Sequence, residues 1–286
     1  MHAEQATDPI AHHGEGPVWD PTTNRLLSVD MLDGDVLTLD PESGDTTCTH
    51  VHSVAACVRP RVSGGYVVAV ERGFALLDLE TKENTPLPEL WVDRNVRMNE
   101  GGCDPQGRFY CGSMAYDKRP GKGTLWRLDP DGHTTAVLDS VTISNGLVWS
   151  LDGSVVYYID TPTLRVDAFT FHPETGTFSD RRPVVTVPEG QGRPDGMTID
   201  SEGGLWVAMF GGSCVRRYRP DGELDAEVDL PVTQVTACTF GGPDLDTLYI
   251  TTSSYNLPRH HTQTAAGAIF AIKPGARGVP VSPFAG

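Results

Sequence analysis

Ser144-Asn145-Gly146-Leu147-Val148-Trp149-Ser150-Leu151-Asp152-Gly153 sets out a pattern that returns along the chain at nearly constant phase. With Asn145 as position zero, a large apolar residue, Trp149, falls at plus four and a turn former, Ser150, at plus five. Three further windows keep this frame: Glu15 with Trp19 and Asp20, Asn99 with Cys103 and Asp104, and Asp195 with Ile199 and Asp200. Weaker copies centre on Thr236, followed by Phe240 and Gly241, and on Val58, which keeps mainly the turn Ser63-Gly64-Gly65. Zero positions from Asn99 onward lie 41 to 50 residues apart, and the 84 residues between Glu15 and Asn99 hold two units. A repeat of that length marks a propeller blade or a comparable supersecondary unit.

Each unit also carries two apolar, strand-like runs separated by a turn: 25–30 and 36–40, 65–70 and 74–79, 108–114 and 124–128, 154–160 and 165–169, 204–209 and 214–218, 246–252 and 268–272. Runs of this length between Gly, Pro and Asp clusters read as meandering antiparallel strands. One such unit cannot bury both of its faces alone, so the units must stack around an axis. The expectation is an all-β chain, residues 1–286 forming a single six-bladed β-propeller of mostly four-stranded antiparallel blades. The blades fall near 15–55, 56–96, 97–140, 141–190, 191–233 and 234–275, with the N- and C-terminal segments assisting closure.

The composition suits many short strands: 38% hydrophobic residues with 31 Gly and 22 Pro among 286. A formal net charge of −16 argues against nucleic-acid or anionic-membrane partners, which require a basic surface. The six cysteines form no CxxC pair, and no basic residue followed by an apolar run opens the chain, so a reduced, cytoplasmic protein is expected. No stretch approaches the roughly 18 apolar residues of a membrane span. The adjacent His12-His13 reads as surface rather than zinc site, because neighbours on a strand point to opposite faces and no second cluster has ligand spacing.

In a propeller, equal phase in sequence becomes a ring in space, so Glu15, Asn99, Asn145 and Asp195 should converge on the axis. Asn-Gly and Asp-Gly are ordinary turn dipeptides, but Glu15 has no turn preference and occupies the same frame. Carboxylates and carboxamides gathered together repel unless a cation joins them, and oxygen donors of this kind suit Ca²⁺, Mg²⁺ or Mn²⁺.

Five segments then resemble the family of senescence marker protein, gluconolactonase and luciferin-regenerating enzyme. They are Glu15-Gly16-Pro17-Val18-Trp19-Asp20, the stretch from Arg97-Met98-Asn99-Glu100-Gly101-Gly102 to Arg108, Ser144-Asn145-Gly146-Leu147, Arg193-Pro194-Asp195-Gly196 and Phe240-Gly241-Gly242-Pro243-Asp244. The resemblance implies a six-bladed propeller with one divalent ion held by Glu15, Asn145 and Asp195, Ca²⁺ first, with Zn²⁺, Mg²⁺, Mn²⁺ or Fe²⁺ as alternatives. It also implies substrate contacts from Arg97 and Asn99, and from Asp117 as the acidic residue after Gly112-Ser113-Met114. Where the family commonly has Asn-Asp-Gly, this chain has Asn99-Glu100-Gly101, which bears on substrate identity.

The activity implied is hydrolysis of a small-molecule sugar lactone by water activated at the ion, with Asp195 as general base. The expected oligomeric state is a monomer or weak homo-oligomer. No G-x-S-x-G signature points to a serine nucleophile. Two other readings keep the same ring: a non-catalytic calcium-binding or protein-interaction propeller, and a propeller esterase for a non-sugar lactone or ester. The loops 115–123 and 255–266 are the segments expected to select among substrates.

Overall fold

The computed structural model describes residues 1–258 and 262–286. Its strands form six antiparallel sheets of four. Blade 1 comprises Gly14–Asp20, Arg25–Asp30, Asp35–Leu39 and Thr46–His50; blade 2, Ala55–Pro60, Tyr66–Val70, Gly73–Leu77 and Asn84–Pro86. Blade 3 comprises Val96–Cys103, Phe109–Ala115, Gly123–Leu128 and Thr134–Val141; blade 4, Ser144–Trp149, Val155–Asp160, Arg165–His172 and Thr177–Thr186. Blade 5 comprises Arg193–Ile199, Leu205–Phe210, Cys214–Tyr218 and Leu224–Asp229. Blade 6 takes Val235–Gly241, Thr247–Thr252 and Phe270–Ile272 from the end of the chain and its outermost strand, Glu4–Gln5, from the beginning. Glu4 pairs with Ala271 and Gln5 with Phe270, so backbone hydrogen bonds close the ring. That strand is two exposed residues long, too short to leave a period in the sequence.

The first strand of each blade packs on the first strands of both neighbouring blades, which makes it the innermost strand. Large side chains fill the space between sheets: Trp206, Tyr110, Tyr158, Phe74 and Phe109 are all fully buried. Each such burial contributes on the order of 2 to 3 kcal/mol. The plus-five aspartates fasten the turn that follows each inner strand. Asp200 accepts hydrogen bonds from the Glu202 and Gly204 amides, Trp206 Nε1 and Arg217 Nε. Asp104 does the same for the Gln106 and Arg108 amides, Arg108 Nε and Tyr110 Oη. A buried carboxylate with this many donors welds turn to sheet, which is why a turn-forming residue recurs at that phase.

All six inner strands carry a β-bulge at one place. The pairing slips between Glu15 and Val18, Ala55 and Cys57, Met98 and Gly101, Ser144 and Leu147, Pro194 and Met197, and Val235 and Ala237. A bulge inserts an unpaired residue and re-aims the side chains around it. Position zero lies at this bulge, and the six equivalent residues are Glu15, Ala56, Asn99, Asn145, Asp195 and Thr236. The phase centred on Val58 is therefore corrected by two residues. Blade 2 has neither a polar zero residue nor a large apolar one at plus four, where Pro60 stands, and its Ser63-Gly64-Gly65 turn comes two residues later than a plus-five start.

Inner strands begin at the end of the propeller that also carries the loops between second and third strands. The Tyr116 amide donates to Asn95 O there, the Thr161 amide to Ile143 O, and His13 bridges to Ser253. Loops 115–123 and 255–266 consequently share the end where position zero lies; residues 259–261 of the second loop are outside the described residues. The opposite end is crossed by the C-terminal segment. Gly278 bridges to Asp200, Phe284 bridges to Arg61, and the Ala285 amide donates to Gly107 O. No helix among the described residues is long and apolar enough to cross a membrane. All six cysteines are free thiols, and only Cys48 is exposed.

Candidate metal centre and its mouth

Glu15, Asn99, Asn145 and Asp195 are all buried, none more than 6% exposed. A chain of polar contacts fixes their carboxamides. Arg97 Nη1 donates to Asn99 Oδ1 at 2.7 Å, and Asn99 Nδ2 donates to Ser144 O at 2.7 Å and toward Asn145 Oδ1 at 3.3 Å. Asn145 Nδ2 donates to Thr161 Oγ1 at 2.7 Å, whose own proton goes to Pro194 O at 2.8 Å. Because the Thr161 hydroxyl is committed as donor, the Asn145 amino group must face it, and Oδ1 faces away from it.

The carboxylates gather in the same space. Burial raises the Asp195 carboxyl well above the usual range, the Glu100 charge raises it further, and the Arg97 guanidinium and the Asn145 amide oppose this. Glu15 is likewise raised well above its usual value by burial and then by the charges of Asp195 and Glu100. Its Oε1 stands 3.9 Å from His13 Nε2.

Glu100 is the member that the repeat frame did not single out. Burial lifts it to about 7, against the pull of Arg59, whose Nη2 is 4.0 Å from Oε1. Its Oε2 is buried with no hydrogen-bond partner. The plus-one position is glycine in three of the other blades, Gly16, Gly146 and Gly196, and a Cβ at Gly196 would lie 3.0 Å from Glu100 Oε2. One long side chain thus occupies axial space that the glycines vacate. That contrast of Glu against glycines at a single phase was available in the sequence.

Two residues before zero, on the same side of the strand, stand His13 and Arg97. His13 is buried whereas His12 is exposed, so the surface reading of the pair holds for His12 alone. Burial and the nearby Arg97 charge push the His13 imidazole down to about 3, leaving it neutral, with Nδ1 2.8 Å from Ser253 Oγ. Arg97 Nη1 also meets Met31 Sδ and Met98 O, and the guanidinium lies 5.7 Å from the Tyr116 ring centroid. Asp117 is not drawn into this cluster: it sits on the exposed loop with its carboxylate 2.6 Å from Arg119 Nε. Below Glu100 the axis widens into a cavity of ≈ 290 Å³ lined by Arg59, Trp149, Thr198, Thr239 and, from the C-terminal segment, Val281.

Burial raises the proton affinity of all three acidic groups, and the Glu100 charge raises that of Glu15 and Asp195 further, so the site favours a cation. Among the described residues, no trio of His, Cys, Asp and Glu is gathered at ligating distance. The donor set that fits a cation is instead two carboxylates and a carboxamide oxygen, Glu15, Asp195 and Asn145, all hard oxygen ligands.

The model of the SMP-30/Gluconolactonase/LRE-like region matches residues 13–254. The chain belongs to this family. It is 39% identical over 283 residues to regucalcin of Gallus gallus, covering 96% of this chain and 95% of that one. It is 37% identical over 288 residues to the pentonolactonase XacC of Haloferax volcanii, covering 98% and 97%. The solved structure of a luciferin-regenerating enzyme superposes with a TM-score of 0.92 at 30% identity, covering 99% of both chains.

Proposed function

We propose that this protein hydrolyses sugar lactones, with one divalent cation, Ca²⁺ first, held by Glu15, Asn145 and Asp195. The observation that carries the reading is the burial of Glu15 and Asp195 together, each destabilised as an anion by burial and by neighbouring carboxylates. Kinship to a pentonolactonase supports the substrate class. A bound divalent ion would polarise the ester carbonyl and make an adjacent water more acidic.

The chain's own residues supply the rest. Asp195 takes the proton from the attacking water, the adjacent cation favouring its ionised form. Asn145 is held with its oxygen turned from Thr161, so no rotation is needed to present it. The Arg97 hydrogen bonds among the described residues all come from Nη1, leaving Nη2 as the donor for a substrate oxygen, while Asn99 is locked between Arg97 and Ser144 and orients that guanidinium. Asp117 contacts substrate in this scheme only from the outer mouth, after exchanging its partner Arg119. Six free thiols fit a cytoplasmic setting.

The test is metal analysis of the purified protein beside hydrolysis of an aldonolactone panel by wild type and Asp195→Ala. Chelator-sensitive turnover that the variant lacks is expected. Bound metal with no turnover of any lactone would favour a non-catalytic cation-binding propeller instead, and an unaffected rate in Asp195→Ala would remove the mechanism.

A further inference from the structure

The imidazole of His13 is held on every side but one. The His13 amide donates to Asp30 Oδ1 at 2.9 Å, its carbonyl accepts from the Met31 amide at 3.0 Å, and the ring lies 5.5 Å, centroid to centroid, from Tyr255. Ser253 Oγ accepts from the Tyr255 amide at 3.0 Å and gives its single proton to His12 O at 3.2 Å. With that proton spent, the 2.8 Å contact with His13 Nδ1 makes the ring the donor, so Nε2 carries the lone pair. Glu15 Oε1 lies 3.9 Å from Nε2. Nε2 has no hydrogen bond among the described residues, yet it is not sealed from solvent, and the side chain keeps 10% of its surface exposed. An acceptor fixed in this way lacks only a donor from outside the protein.

Position minus two repeats the logic of position zero one layer nearer the mouth. Arg97 holds it in blade 3 and His13 in blade 1. His13 is not gathered with Glu15 and Asp195 at ligating distance, so its lone pair serves the space above the ion rather than the ion. Beside Glu15 an anion would be repelled, whereas a sugar lactone brings neutral hydroxyls. We propose, building on the lactonase reading, that His13 is a specificity-determining residue whose Nε2 accepts the proton of the hydroxyl on the carbon next to the lactone carbonyl. Glu15 belongs to the ligand set proposed for the ion that polarises that carbonyl, and the hydroxyl one carbon away is the substituent closest to both groups. A lactone without this hydroxyl leaves the lone pair unpaired, and a site that reads a hydroxyl rejects the analogue lacking it more sharply than an apolar pocket rejects an added group.

The test reads binding and turnover separately. Calorimetry on the metal-loaded protein compares an aldonic acid with its 2-deoxy counterpart, and kinetics compare the two corresponding lactones. Wild type should favour the hydroxylated member by about tenfold or more in both Kd and kcat/KM. His13→Phe, which has no acceptor, should bring both ratios close to one, and His13→Gln, whose amide oxygen can stand in for Nε2, should restore part of the preference. Each ratio is internal to one protein, so a partly unfolded variant still reports. Cation affinity by titration should match wild type in both variants, and ¹⁵N NMR of histidine-labelled protein should find the proton on Nδ1. Equal handling of hydroxylated and 2-deoxy ligands by wild type, a ratio that His13→Phe leaves intact, a proton on Nε2, or loss of cation affinity in His13→Phe overturns the inference. If the 2-hydroxy acid is preferred through His13 but no lactone is opened, the lactonase reading falls and the hydroxyl site stands; if lactones open with no such preference, the reverse holds.

Discussion

Replacing Glu100 by Gln tests whether the axial acidic cluster is short of positive charge. Gln keeps the volume and one acceptor but cannot ionise. Glu100 is lifted from 4.5 to about 7 by burial. The protonated form is thus the one that the folded state prefers. Below pH 4.5 folded and unfolded chains both hold the proton and the group costs nothing. As pH rises from 4.5 to 7 the unfolded chain releases its proton first, so stability is lost across that window. At about 1.4 kcal/mol per unit, the full cost is roughly 3 kcal/mol by pH 8. Metal-free Glu100→Gln should therefore match wild type near pH 4.5 and exceed it by roughly 3 kcal/mol at pH 8. For a chain of this size that is about 6 to 12 °C in Tm. The assay is thermal unfolding of chelator-treated protein at half-unit steps of pH, repeated with excess Ca²⁺, which should narrow the gap. Curves for the two proteins that run parallel from pH 4.5 to 8, or a less stable variant at pH 8, would refute the electrostatic account of the cluster.

Further outcomes follow from the same geometry. Asp195→Asn keeps an oxygen at the ligand position but removes the base, so kcat for lactone hydrolysis should fall by about 10² to 10⁴ while metal content, read by elemental analysis, falls less. Ca²⁺ at 100 times its dissociation constant should stabilise the metal-free protein by about 2.7 kcal/mol, a gain that Glu15→Gln should largely abolish in calorimetric titration. Gly196→Ala sets a Cβ 2.4 Å from Ala237 Cβ and 3.0 Å from Glu100 Oε2; overpacking of this kind should cost about 1 to 3 kcal/mol in denaturant unfolding and weaken cation binding as well. Phe284→Ala empties a buried anchor of the C-terminal segment, and should cost about 3 to 5 kcal/mol with cation affinity retained.

Much of the architecture was legible because a propeller writes its symmetry into the chain. A zero residue, an apolar residue at plus four and a turn former at plus five, aspartate in three blades, recur because the blades share one bulge and one kind of core contact and fastened turn. Glu15, Asn99, Asn145 and Asp195 could be picked out by phase alone, whereas the choice of three of them as ligands came from the family resemblance, and all four are buried. The frame failed in blade 2, where Ala56 and Pro60 carry neither of its marks. It also passed over Glu100, since plus one is a position that most blades leave to small residues.

What the residues determined by themselves was the number of units, their strand order and which side chains share a phase, all of which depend on local hydrogen bonding and alternation. Only the closed tertiary structure decided what those side chains experience. The shared depth of Glu15, Glu100 and Asp195 raises their proton affinities, and the crossing of residues 278–285 covers the far end of the channel. Burial and the distances between charges on different blades are properties of the assembled ring, so no window of the chain encodes them alone.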